Sequence, residues 1–94
     1  MNRKTECVER LLEKSYLWED ISEWLVDNKF ASTLEIDNVS RTIERAEFIY
    51  NLLKVNEAND KIILLDFEWV LLPKEYIRII CTTEKEEKEF TYGI

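Results

Sequence analysis

A single glycine, Gly93, and a single proline, Pro73, punctuate the 94 residues. Tight turns depend on these residues, glycine for positive φ and proline for a preset φ. A chain with so few of them favours long helices over a many-stranded barrel. Its length fits one domain, taken here as residues 1–94. The apolar content, 46% with three Trp and four Phe, suffices for a packed core and is too high for a disordered chain.

The hydrophobic pattern divides the chain into a helical half and an extended half. From about Asn2 to Lys14, Cys7, Val8, Leu11 and Leu12 recur at helical spacing, with Asn2 or Thr5 as candidate caps. From Tyr16 to Lys29, Leu17, Trp18, Ile21, Trp24 and Leu25 share one helical face. The two stripes are offset by roughly 100° on a common wheel, so a break near Ser15 is expected, with Ser15 as cap. Residues Phe30 to Asp37 read as a connector with a short extended piece at 33–36. Asp37, Asn38 and Ser40 crowd a helix start, and Val39, Ile43, Ala46, Tyr50 and Leu53 carry a third helix to a polar stop at Asn56–Asp60. Phe48, Ile49 and Leu52 widen its stripe over much of the circumference.

The period then changes. Ile63, Leu65, Phe67, Trp69 and Leu71 alternate with Leu64, Asp66, Glu68 and Val70, which is a strand pattern. Tyr76–Thr83 is rich in β-branched residues and reads as a second strand. Phe90, Tyr92 and Ile94 suggest a third, although the Glu84–Glu89 run before it lacks the Gly or Asn of a good hairpin turn. The expected fold is therefore α+β, two to three N-terminal helices on one face of a two- to three-stranded antiparallel sheet. The alternative is an all-α bundle.

Several chemistries are missing from the residue list. The chain has no histidine, the usual general base near neutral pH and a common zinc ligand. Its one glycine cannot build a phosphate-cradling loop. Cys7 and Cys81 lie far apart in sequence, which suits free thiols in a reducing compartment, with one long-range bridge as the alternative that spacing does not exclude. No leader or membrane-spanning segment is evident, and the expected location is the cytoplasm. Asp66 and Glu68, on one side of a strand, are the best pair for holding a divalent cation. The preferred account of the two is simply the solvated face of a half-buried strand. The reading is a non-enzymatic protein with no catalytic residues, cofactor or resident metal.

The net charge of −7 is concentrated. Residues 16–37 hold six acidic groups against one lysine, Lys29. Such a surface repels nucleic acid and attracts basic partners, so neither direct nucleic-acid binding nor a membrane surface is expected. On the second helix, Glu19, Asp20, Glu23 and Asp27 fall within an arc of about 100° beside the apolar stripe. Glu19–Glu23 and Glu23–Asp27 are i/i+4 like-charge pairs, unfavourable by a few tenths of a kcal/mol each. No basic residue between Tyr16 and Asn28 relieves them. Such a stripe is first of all the ordinary solvated face of an acidic protein. The alternative, suggested by its local cost, is a docking surface for an external basic partner, with Trp18, at the edge of the apolar face, as the candidate aromatic anchor.

The functional expectation is a small acidic inhibitor that docks on a basic, nucleic-acid-binding type of surface. Immunity proteins, antitoxins, and phage or plasmid inhibitors of nucleases or defence complexes, anti-CRISPR and anti-restriction proteins among them, form that class. The alternative is a homo-oligomer, such as a homodimer, that uses Ile62–Leu72 or the third helix as its interface.

Overall fold

The computed structural model describes residues 2–94. Among these, the elements run α1 (Arg3–Leu12), α2 (Ser15–Asp27), α3 (Thr33–Asp37), α4 (Thr42–Ala58), β1 (Leu64–Val70), β2 (Tyr76–Thr82) and β3 (Glu87–Gly93). The fold is α+β, with helices packed on an antiparallel sheet of order β1-β2-β3. The all-α alternative is therefore discarded. No helix among the described residues is long and apolar enough to cross a membrane.

The starts of α1 and α3 have a local cause in side-chain caps, whereas those of α2 and α4 do not. Asn2 caps α1, its Oδ1 accepting from the Thr5 N–H at 2.8 Å. Cys7, Val8, Leu11 and Leu12 are all buried, as their spacing predicts. The expected break falls at Glu13–Lys14, and Lys14, not Ser15, is the N-cap of α2. Ser15 is already helical, and Lys14 makes no side-chain capping bond.

The connector requires a larger correction. Residues 33–37 are not extended but form α3, opened by a capping box. Ser32 Oγ accepts from the Glu35 N–H, and the Glu35 carboxylate accepts from the Ser32 N–H at 3.0 Å. Asp37 and Asn38 thus close α3 and do not open the next helix. α4 starts later than expected, at Thr42 after Arg41. It also runs on through Asn56, a buried residue whose Nδ2 donates to the Leu52 carbonyl at 2.8 Å.

The scarcity of glycine shows at the helix exits. In α2, the Phe30 N–H bonds the Leu25 carbonyl and the Lys29 N–H the Val26 carbonyl. In α4, the Lys61 N–H bonds Asn56 and the Asp60 N–H bonds Glu57. These are paired Schellman closures, which favour glycine at the left-handed position. Here Lys29 and Asp60 hold it, each at φ 61°.

The sheet registers Phe67 against Ile79 and Ile79 against Phe90, with Leu65–Cys81 and Trp69–Ile77–Tyr92 beside them. That face joins the core with Val8, Leu11, Ile21, Leu25, Ile49 and Leu53. Asp66, Glu68, Arg78, Ile80 and Glu89 alternate onto the opposite face. β3 forms without a glycine turn because Thr83 organises the hairpin. Its N–H donates to the Glu86 carbonyl at 2.8 Å, and its Oγ1 accepts from the Lys85 and Glu86 N–H groups.

Candidate functional site

The helical period of α2 separates its core face from its acidic face. Leu17, Trp18, Ile21, Trp24 and Leu25 are buried, while Glu19, Asp20, Glu23 and Asp27 are exposed. Trp24 anchors the helix, its ring edge-on to Phe30 at 5.6 Å and to Phe90 at 5.8 Å. This contact sets α2 beside β3. Among the described residues, none of the four carboxylates forms an ion pair. Asp27 is placed worst, because the last turn ends in carbonyls of partial negative charge and contains no basic residue.

The capping box of α3 gives this stripe a second wall. Glu19, Ser22, Glu23, Val26, Asp27, Thr33 and Ile36 line an open groove of about 300 Å³ between α2 and α3. Glu19, Glu23 and Asp27 stand along it, four residues apart and so about 6 Å apart along the axis. Val26 and Ile36 supply its apolar lining. Asp20 is exposed but does not line the groove. The sequence reading missed Val26 and Ile36 as site residues, since it left 33–36 extended. The available signal was Ser32-x-x-Glu35, the pattern of a capping box.

Trp18 is not a free anchor. It is 8% exposed, and the Arg45 guanidinium of α4 lies 4.3 Å from its ring centre. Arg45 Nε also donates to the Val39 carbonyl at 3.1 Å. A residue at the edge of the α2 stripe is therefore closed over by α4, a contact that no local period reveals. The accessible apolar surface of the groove comes from half-buried Val26, with Ile36, itself only 9% exposed, closing its floor.

Asp66 and Glu68 do share the outer face of the sheet. Glu68 is engaged, however, with Oε2 accepting from Arg78 Nη2 at 2.6 Å and from Arg78 Nε at 3.1 Å. Among the described residues, no three His, Cys, Asp or Glu side chains cluster closely enough to hold a metal ion. Cys7 and Cys81 are buried and free. Loss of hydration on burial pushes the Cys7 thiol up to about 11, although nearby Arg3 pulls it slightly back, and the Cys81 thiol up to about 12. Both are therefore neutral at physiological pH and weak as nucleophiles.

No protein-family model matches this chain, and no match is found among curated proteins or solved structures.

Proposed function

We propose that the chain is a small, non-enzymatic, cytoplasmic protein-binding domain that acts as a stoichiometric inhibitor. Its class is that of immunity proteins, antitoxins, and phage or plasmid inhibitors of nucleases or defence complexes. The observation that carries this reading is the row Glu19, Glu23 and Asp27, without an ion pair among the described residues and bordering an open groove. A linear row of like charge offers a basic protein what a phosphate backbone offers it. Lysine or arginine side chains of the partner would meet the carboxylates, and one apolar side chain would settle on Val26 and Ile36. Charge then sets approach and register, while the apolar contact slows dissociation. Asp20, outside the groove, contributes to long-range attraction.

The test is a tagged pull-down from host lysate. It compares the native chain with a Glu19→Lys, Glu23→Lys, Asp27→Lys variant shown to be folded by circular dichroism. The expected result is one basic partner, captured by the native chain and bound at least about 100-fold more weakly by the variant, since like-charge contact costs several kcal/mol. Equal capture by both would remove the acidic groove as the binding site.

A further inference from the structure

With 20 acidic and 13 basic side chains, the chain offers each cation a surplus of partners. Arg10, Arg41, Lys54 and Arg78 take an acidic one. Arg3, Lys4, Lys14, Arg45 and Lys88 lie over aromatic rings. Among the described residues, Lys29, Lys61, Lys74 and Lys85 alone have neither an ion pair nor a ring. All of these but Lys74 line one open cleft of about 410 Å³.

The three lysines reach the cleft from distant parts of the chain. Lys29 follows α2, Lys61 follows α4, and Lys85 sits in the Thr83 turn between β2 and β3. Asp60, Glu84 and Phe30 line the same cleft, and neither carboxylate is ion-paired with a lysine. Lys29 and Asp60 are also the two non-glycine residues, among those described, with left-handed backbone. Glycine would relieve the crowding at either place. It would also remove one ammonium or one carboxylate from this cleft. Strain retained at two lining residues argues that their side chains are used there. Both helices end at the cleft. Their closures occupy the carbonyls of Leu25, Val26, Asn56 and Glu57, which tempers the negative charge of the two C-termini.

We propose that this cleft binds a phosphorylated sugar, either free or as part of a nucleotide. The ammoniums of Lys29, Lys61 and Lys85 meet the phosphate as compact point charges. Asp60 and Glu84, acceptors without a cation of their own, take hydrogen bonds from sugar hydroxyls. A bare phosphate would leave both carboxylates as sources of repulsion, so the sugar accounts for their place beside the lysines. Phe30 supplies a flat apolar wall for a base. The cleft has the size of a small-molecule site. It shares no lining residue with the groove between α2 and α3, so the two sites stand or fall separately.

Amide chemical shifts of the isotope-labelled chain, titrated with ribose-5-phosphate at low salt, test this where exposed charges are least screened. The expected result is saturable shifts confined to residues 28–30, 60–61 and 83–85. Ribose alone should cause none, and inorganic phosphate should bind more weakly. Lys29→Gln, Lys61→Gln and Lys85→Gln should each weaken binding about two- to fivefold, as expected for one exposed charge contact. Lys74→Gln, outside the cleft, should leave binding unchanged. Lys29→Gly separates binding from folding, because it should bind more weakly while the relieved backbone makes the fold more stable. Tighter binding of AMP than of ribose-5-phosphate would identify the nucleotide as the form taken, and equal binding the free sugar phosphate. Shifts still unsaturated at about 10 mM, a range that allows for weak exposed contacts, would overturn the proposal. So would shifts spread over the surface, phosphate binding as tightly as ribose-5-phosphate, or equal effects of Lys74→Gln and Lys29→Gln.

Discussion

α2 and α4 are the two longest helices, and they treat their surface charges in opposite ways. α4 and its N-cap pair theirs locally, Arg41 with Glu44 at 2.8 Å and Lys54 with Glu57 at 2.9 Å. α1 does the same with Arg10 and Glu13. α2 has four exposed carboxylates, and among the described residues none is paired. The apolar sides differ as well. α2 buries one compact face, while α4 is apolar around most of its girth, with Phe48, Tyr50 and Leu52 half-buried beside Ala46, Ile49 and Leu53. An acidic composition alone does not produce this contrast, since α4 contains Glu44, Glu47 and Glu57 and, with its N-cap, still supplies cations for two of them. Among the three long helices, α2 alone carries acidic residues with no basic residue of its own.

The strongest test of the comparison is whether the two helices share one core. Leu25 of α2 and Ile49 of α4 are both fully buried. Leu25→Ala and Ile49→Ala should each lower unfolding free energy by about 2–5 kcal/mol in urea titrations. A negligible loss at Leu25 would mean that α2 is held more loosely than α4.

The helix exits give a smaller and opposite effect. Lys29 and Asp60 occupy the left-handed position at equivalent points of the two helices. Lys29→Gly should stabilise by about 1 kcal/mol, as the steric penalty is relieved. Asp60→Gly should gain less, because aspartate tolerates this conformation better than lysine. Thermal unfolding of the two variants would rank them, and the reverse order would contradict this account of the closures.

The smallest effect concerns the charges themselves. Asp27→Lys removes the i/i+4 repulsion with Glu23 and places a cation at the end of α2, so it should raise stability by a few tenths of a kcal/mol. Glu44→Lys breaks the pair with Arg41 and places a cation in the first turn of α4, so it should lower the melting temperature slightly. If both substitutions act in the same direction, the two helices do not differ in the way the ion pairs suggest.

Much of the fold was legible because its elements are long enough to show a period. Val8 with Leu11, Leu17 with Ile21, and Ile77 with Ile79 identify their own buried faces. The misses come from features shorter than a period or reached from elsewhere in the chain. Five-residue α3 has no repeat to detect, and only the Ser32–Glu35 pair marks it. The N-caps Lys14 and Arg41 make no side-chain capping bond, so no residue preference marks those starts. Thr83 builds a turn that glycine usually signals. At the site, the carboxylates lie where the wheel puts them, because exposure on a helix follows from spacing alone. The cover that Arg45 places on Trp18, and the meeting of Val26 with Ile36 in one groove, depend on tertiary packing that spacing does not encode.

The two buried thiols give the molecule a built-in clock. Sealed inside and fully protonated, Cys7 and Cys81 can meet an alkylating reagent only when their surroundings open. One sits on the first helix and the other on the central strand, so each reports the opening of its own element around the shared core. Whether the two open together or in turn can be read from the mass of a single labelled chain.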